Sequence, residues 1–196
     1  MNALVPPARH ADHPVAQLFL NRHSPRAFTE AALTEGEVET LLEAARWAPS
    51  GSNLQPWRFA WAMRGEPGFA AIAEALVPAN RVWAEKAAAL IVIASKAVVL
   101  RDGVNHPHPS HAFDAGAAWM SLALQADLIG LKAHAMGGFD KPKAAASLNL
   151  PADHELHAVV AVGQMGAPEL LPEAFRPREV PSQRLPLAEI ARRGSF

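Results

Sequence analysis

Segments with helical periodicity alternate along this chain with shorter segments that have the periodicity of β-strands. Within residues 34–47, apolar side chains recur every three or four positions, at Val38, Leu41, Leu42 and Ala45. Thr34 and Glu37 have the spacing of a capping box, so this segment is predicted to be a helix. Further helices are predicted over residues 15–21, 67–76, 80–86, 113–129 and 142–148.

Strand periodicity begins directly after Pro56. Apolar side chains on alternate positions, at Trp57, Phe59, Trp61 and Met63, are typical of a strand with one buried face. Residues 90–94 are continuously apolar and predict a strand covered on both faces. Strands are also predicted over 131–136 and 156–164, and a loop over 101–111. Because these elements follow no regular βαβ order, we predict an α+β fold with a small central mixed sheet between helices.

The two ends of the chain differ in composition from the segment between them. Residues 1–13 are polar, with prolines and histidines, and are predicted to be a lead-in. Residues 14–167 carry the predicted helices and strands and are expected to form one domain. Between Pro168 and Pro186 there are five prolines and little periodicity. Residues 168–196 are therefore either disordered or an arm that lies on another surface.

The composition excludes several classes of function. The 196 residues carry a net charge of −1 without a long basic or acidic run, which argues against nucleic-acid or anionic-membrane partners. There is no cysteine, so disulfides, thiolate metal sites and thiol nucleophiles are excluded. No apolar run reaches the roughly 18 residues that a membrane span needs, and the first residues lack the pattern of a signal peptide. We therefore expect a cytoplasmic protein.

The most distinctive polar segment lies between the predicted helix over 34–47 and the first strand. Residues 47–57 hold small polar side chains between two prolines, with Gly51 free to take a positive φ. Taken alone, this segment is either an ordinary connection or a rigid turn that presents its polar groups to a flat, hydrogen-bonding ligand. The segment Arg22-His23-Ser24-Pro25-Arg26-Ala27-Phe28, some 25 residues earlier, favours the second interpretation.

Together the two segments resemble the nitroreductase family of flavin mononucleotide (FMN) enzymes. Residues 22–28 match the family's Arg-x-Ser-x-Arg/Lys-x-Phe segment, and residues 49–57 match its Pro-Ser-x-x-Asn-x-Gln-Pro-Trp loop. Two further matches, at residues 136–140 and 184–187, follow in the expected order. The resemblance extends from about residue 14 to about residue 190. It implies a homodimer whose C-terminal arm embraces the partner subunit and adds a strand to its sheet.

The resemblance assigns the basic residues to non-covalently bound FMN. It implies that Arg22, Ser24 and Arg184 bind the phosphate, for which charge-assisted hydrogen bonds are well suited, with His23 in the same binding segment. Arg26 resembles the family's cation beside the pyrimidine edge of the flavin, where it stabilises the negative charge that develops on reduction. Without the resemblance, Arg22 also suits a helix C-terminus and Arg26 the protein surface.

Further implied contacts come from three short stretches. Pro49, Ser50, Gly51 and Asn53 would reach the FMN of the partner subunit, which places the site across the dimer interface. Gln55 either joins them or only orders the turn. Asn80 and the backbone around Met136, Gly137 and Gly138 would complete the set. The chain departs from the family pattern at Gly137, where an acidic residue is usual, and at Trp83, where some members carry a basic residue. Trp83 either closes the pocket over the ring or packs in the core.

The implied function is hydride transfer by FMN from NAD(P)H to nitroaromatics, quinones or a small carbonyl compound. The sequence has no Gly-x-Gly-x-x-Gly segment for a resident dinucleotide, so NAD(P)H and the electron acceptor would visit the flavin in turn, in a ping-pong mechanism. We assign no catalytic acid or base. The alternatives are another reaction on the same fold, such as dehalogenation or oxygen-dependent chemistry, and a flavin store or sensor without turnover.

Histidines form the one group of potential metal ligands in the sequence. His106, His108 and His111 have a spacing that can bind zinc or nickel, but we expect no physiological metal. They are interpreted as part of a solvated or substrate-lining loop. Asp114 is interpreted as a helix-start residue and His157 as a surface residue.

Overall fold

The computed structural model describes residues 9–195, so residues 1–8 of the predicted lead-in lie outside the described part. The helices are α1 (Gln17–Asn21), α2 (Glu35–Arg46), α3 (Pro67–Ala75), α4 (Pro78–Ala84), α5 (His111–Leu128), α6 (Lys141–Ser147) and α7 (Leu187–Ile190). The strands are β1 (Trp57–Met63), β2 (Ala89–Lys96), β3 (Val98–Arg101), β4 (Val104–Pro107), β5 (Lys132–Met136) and β6 (His154–Gly163). None of the helices described within residues 9–195 is long and apolar enough to cross a membrane.

The central sheet has the strand order β1-β2-β6-β5. All of its pairings among the described strands are antiparallel, so the expectation of a mixed sheet differs from the structure in this respect. The α+β fold with a small sheet between helices is confirmed. Strands β1 and β5 form the two edges of this sheet. Segments that lie beside β1 are therefore at the opposite edge from segments that lie beside β5.

Side chains of the two central strands alternate between two cores. Leu90 and Val92 of β2 pack on the face covered by α3, α4 and α6. Ile91 and Ile93 pack on the opposite face, against α2 and α5. The prediction of a strand covered on both faces is thus confirmed, since all four side chains are buried.

Helix α2 begins where the capping pattern predicts. The Thr34 hydroxyl accepts a hydrogen bond from the Glu37 amide at 3.2 Å, and the Glu37 carboxylate accepts one from the Thr34 amide at 2.7 Å. Two amides of the first turn that lack partners within the helix are thereby satisfied. Val38, Leu41 and Ala45 form its buried stripe.

The predicted loop over residues 101–111 is wrong in its first half. Val99 pairs with His106 in an antiparallel hairpin formed by β3 and β4. Its two-residue turn is Asp102-Gly103, with φ values of 49° and 77°. This dipeptide is a strong sequence signal for a tight hairpin, because both turn positions require a positive φ.

The C-terminal segment lies against its own chain in several places. Residues 168–178 form two short 3₁₀ segments, Pro168–Leu170 and Glu173–Arg178, and α7 follows. Further along, the Ser182 carbonyl accepts a hydrogen bond from Arg9 Nε at 2.9 Å, and the Leu187 amide donates to Asp12 at 3.0 Å. The arm is thereby joined to the described end of the lead-in. Its packing on a partner subunit stays a prediction.

Candidate functional site

Most of the predicted cofactor-binding residues come together at the β5 edge of the sheet. The segment containing Arg22, His23, Ser24 and Arg26 follows α1 and runs beside β5, where Nδ1–H of His134 donates a hydrogen bond to the Pro25 carbonyl at 2.9 Å. The same segment continues past β6, and Phe28 forms an antiparallel bridge with Met165. Residues from two distant parts of the sequence are therefore fixed to one edge.

Three arginines converge at one end of this segment. Burial, followed by the nearby charge of Arg184, lowers the pKa of Arg22. Burial, followed by the charges of Arg184 and Arg22, lowers the pKa of Arg9. Within residues 9–195, no carboxylate lies within 4.0 Å of any of these guanidinium groups. A cluster of like charges without a carboxylate in direct contact is suited to a multiply charged anion such as a phosphate monoester.

Arg9 is a member of this cluster that the sequence interpretation missed. Its guanidinium donates to the carbonyls of Leu20 and Arg22 at 3.0 and 2.6 Å. It thereby fixes the backbone from which the Arg22 side chain projects. Nothing in the sequence marks Arg9, because its partners are brought to it only by the fold.

The turn after β5 has backbone open to its surroundings. A Cβ added at Gly137 would meet no atom within 4 Å, whereas one added at Gly138 would lie 2.8 Å from Asn80 Nδ2. The Gly138 carbonyl accepts hydrogen bonds from the Val77 amide and the Asn80 side chain, at 3.2 and 3.0 Å. Gly138 is therefore held by α4 and its preceding residue, and Gly137 is left as an accessible stretch of backbone.

The side chains at two of the positions considered above are buried in the core. Met136 is 3% exposed, so only its backbone is available to a ligand. Trp83 is 1% exposed and packs on Phe28 and His134, with ring centroids 6.4 and 4.7 Å apart. Of the two alternatives for Trp83, packing in the core is the one observed.

The polar loop at residues 49–55 has a defined shape that depends on buried groups. The Gly51 amide donates to Asp114 at 3.2 Å, and the Gln55 amide donates to the Ser50 hydroxyl at 3.0 Å. Ser52, Asn53 and Gln55 have φ values of 50°, 54° and 47°. Positive φ is costly outside glycine, by roughly 1 kcal/mol or more per residue, and persists where surrounding contacts enforce it. Gln55 helps to order the turn through its bonds to Ser50 and Asn53, and its exposed side chain leaves a contact with FMN as a prediction.

This loop lies far from the arginine cluster within one chain. It precedes edge strand β1, whereas the arginine segment lies beside edge strand β5, roughly 14 Å away across three strand spacings. It is also bonded to Asp114 near the start of α5, whereas the field of Asp127 near the end of that helix acts on Arg22. These aspartates are thirteen positions apart in the helix, which corresponds to about 20 Å. Within one chain the loop and the arginine cluster are therefore apart, and the contact of the loop with the FMN of the partner subunit stays a prediction.

The histidine-containing segment is only partly solvated, since His106 is exposed and His108 is not; its role in lining a substrate pocket stays a prediction. His108 is buried, with its Nε2 3.9 Å from the Asp114 carboxylate and without a hydrogen-bond partner among the described residues. The buried Ser95 hydroxyl contacts His111 Nδ1 at 2.7 Å and His157 Nε2 at 2.6 Å. His157 is therefore not a simple surface residue, and Asp114 does more than begin a helix.

These polar side chains form a structural network that links β2, β6 and the start of α5. No group of three or more histidine, aspartate or glutamate side chains in the described part of the chain is arranged to hold a metal ion. Ser110 and Gly51 donate to the same Asp114 carboxylate. The network therefore supports the loop at residues 49–55.

Three partly buried histidines make stability depend on pH. Burial is the main cause that lowers the pKa of His134 below its ordinary value. The unfolded chain then binds more protons at this residue than the folded chain. The contribution of neutral His134 to stability is therefore present above about pH 6.5 and is lost as the pH falls below it. We expect the free energy of unfolding to decrease between pH 7 and pH 5, and H134Q to reduce that decrease.

Chemical denaturation at several pH values measures this effect. The exposed His106 supplies the matched control, since H106Q removes a histidine that lies in the β3–β4 hairpin. Equal pH dependence in the wild type and H134Q would contradict the prediction. Burial also lowers the pKa values of His23 and His157, so H134Q is expected to remove only part of the pH dependence.

Comparison with known proteins gives consistent relatives. A sequence model described as "Nitroreductase family" matches residues 20–164. A protein of Thermus thermophilus named "NADH dehydrogenase" is 31% identical over 87% of this chain and 91% of its own length.

Solved structures extend the likeness to the whole fold. One described as "the oxidoreductase containing FMN" is 42% identical, covers 96% of both chains and superposes with a TM-score of 0.94. A putative nitroreductase in complex with FMN from Desulfovibrio desulfuricans is 27% identical, covers 95% of this chain and 99% of its own, and has a TM-score of 0.71. The motifs, the fold and the family match over residues 20–164 agree: this chain belongs to the nitroreductase family.

Proposed function

We propose that this protein is an FMN-dependent oxidoreductase that passes reducing equivalents from NAD(P)H to a small organic acceptor. The observation that carries the proposal is the cluster of Arg9, Arg22 and Arg184, in which burial and then the neighbouring cations lower the pKa values of Arg9 and Arg22. Within the described residues no carboxylate lies within 4.0 Å of these guanidinium groups. Such a cluster stores electrostatic repulsion that a phosphate dianion would relieve. FMN carries such a phosphate.

The residues around the β5 edge fit the other parts of this cofactor. Arg22, Ser24 and Arg184 would hold the phosphate, with His23 beside them. Arg26 would lie at the pyrimidine edge, and Asn80 and the open backbone of Gly137 would face the ring. FMN itself supplies the hydride chemistry, while the protein contributes binding, orientation and electrostatics. No side chain in this set is needed as a general acid or base.

We further propose that the complete site forms between two copies of the chain. Pro49, Ser50, Gly51 and Asn53 lie at the opposite sheet edge from the arginine cluster, so a two-fold dimer would bring this loop of one subunit to the cluster of the other. Two relatives, one a "NADH dehydrogenase" and one in complex with FMN, support the cofactor and its reductant. Nitroaromatics, quinones and small carbonyl compounds are the proposed acceptors.

A visible spectrum of the purified protein before and after acid precipitation tests the cofactor. We expect flavin bands near roughly 370 and 450 nm, with the colour released into the supernatant because the flavin is held non-covalently. We also expect NAD(P)H oxidation that requires an added acceptor such as menadione or a nitroarene.

Two outcomes would change the proposal in different ways. A colourless protein that does not bind added FMN would overturn it, because the arginine cluster would then serve another anion. An FMN-loaded protein without NAD(P)H oxidation would support instead a flavin store or sensor, or a different reaction on the same fold.

A further inference from the structure

A buried carboxylate from the C-terminal arm lies against the segment that carries Arg26. Glu179 Oε1 accepts hydrogen bonds from the backbone amides of Arg26 and Ala27, at 2.5 and 2.7 Å. Its other oxygen, Oε2, lies 3.8 Å from Arg26 Nη1 and has no hydrogen-bond partner among the described residues. The Glu179 side chain is only 5% exposed, and that of Arg26 is 25% exposed.

The position of this carboxylate is costly unless its charge is compensated. A buried carboxylate needs an opposite charge or hydrogen-bond donors. Glu179 has both, because the amides of Arg26 and Ala27 donate to it and the Arg26 guanidinium lies beside it. Two successive backbone amides that point at one oxygen form an anion-binding concavity. Arg26 is therefore not a free cation, because a negative charge is fixed beside it by a residue 153 positions away in the sequence.

We propose that Glu179 is a positioning residue for Arg26, through which the arm sets the electrostatic field that Arg26 exerts on bound FMN. This inference rests on the proposed function, in which Arg26 lies at the pyrimidine edge of the flavin. The ion pair holds the Arg26 guanidinium towards the arm, so it approaches the flavin edge less closely than an unpaired guanidinium would and stabilises added negative charge less. Glu179 thus keeps the flavin potential lower than Arg26 alone would.

The midpoint potential of bound FMN in E179Q tests this inference. Glutamine keeps one oxygen that can accept from the two amides but removes the charge beside Arg26. We expect the ratio of affinities for reduced and oxidised FMN to rise about tenfold, which corresponds to an upward shift of about 30 mV for a two-electron couple. E173Q is the matched control, because Glu173 is an exposed carboxylate of the same arm.

A double-mutant cycle separates action through Arg26 from other effects. If Glu179 acts through Arg26, the potentials of R26Q and R26Q/E179Q will be nearly equal. A shift that persists in the R26Q background would overturn the proposal, because it would come from the direct field of Glu179 or from a displaced arm. E179D keeps the charge, so we expect it to stay near the wild-type potential. A rise equal to that of E179Q would also overturn the proposal.

Two simpler results distinguish this inference from the function on which it rests. Wild-type protein that fails to bind FMN would remove the proposed function itself. FMN-loaded E179Q with the potential of E173Q would remove only the role of Glu179. Tryptic cleavage within residues 168–195, followed without flavin, reports the anchoring of the arm. Faster cleavage of E179Q with an unchanged potential would assign Glu179 a structural role alone.

Discussion

Replacement of Arg22 by alanine is expected to weaken FMN binding by about 10- to 100-fold, since a hydrogen bond to a charged group contributes about 1.5–3 kcal/mol. The fold should tolerate this change, because within residues 9–195 the Arg22 side chain donates a single hydrogen bond, to the Ser24 hydroxyl at 3.2 Å. Removal of one of three neighbouring cations also relieves repulsion in the free protein. Equilibrium dialysis with FMN measures the affinity, and thermal unfolding without FMN measures the stability.

Riboflavin and a distant arginine provide the controls for this prediction. Riboflavin lacks the phosphate, so R22A should bind it about as well as the wild type does. R101A removes the same charge from the exposed end of β3 and should leave FMN affinity unchanged. Equal losses for FMN and riboflavin would mean that Arg22 supports the ring or the fold and does not bind phosphate.

A mixed dimer, whose two chains carry substitutions in different parts of the proposed FMN site, is expected to bind about one FMN. The homodimer of either variant is expected to bind almost none. One chain carries R22A, which removes a proposed phosphate ligand, and the other carries S50A and N53A, which remove two polar side chains of the loop. In the mixed dimer, one site collects both defects and the other collects neither. The expected result follows from the separation of loop and cluster within one chain.

Two different affinity tags on the chains allow the mixed dimer to be purified and its flavin content measured at limiting FMN. A mixed dimer as colourless as the two homodimers would show that each chain builds its own site. A mixed preparation of wild-type chains with the same two tags is the control, and should hold about two FMN per dimer. The FMN concentration must lie between the dissociation constants of the wild type and of the variants.

Local structure was largely predictable because its causes are local. The capping box of α2 joins residues three positions apart, and the alternation in β1 and the apolar run in β2 reflect the burial of adjacent side chains. The β3–β4 hairpin was missed although Asp102-Gly103 signals it, because the histidines and prolines around His106 and Pro107 were interpreted as a loop.

The linear motifs were enough to predict the family. Residues 22–28 and 49–57 carry their pattern within a few positions, and the family match over residues 20–164 confirms the prediction. Their spacing could not reveal the arrangement of the candidate site, since strand order is decided by long-range pairing. That order puts the arginine segment and the polar loop at opposite edges of the sheet.

The sequence by itself therefore determined the family, the α+β class and the identity of most candidate cofactor-binding residues, because short-range periodicity and motif chemistry are written in adjacent positions. Only the tertiary structure decided which charges meet. Arg9 meets Arg22 and Arg184, and Glu179 meets Arg26 across 153 positions of the sequence. Burial and chain packing set such encounters, and neither the residue type nor the spacing of these side chains records them.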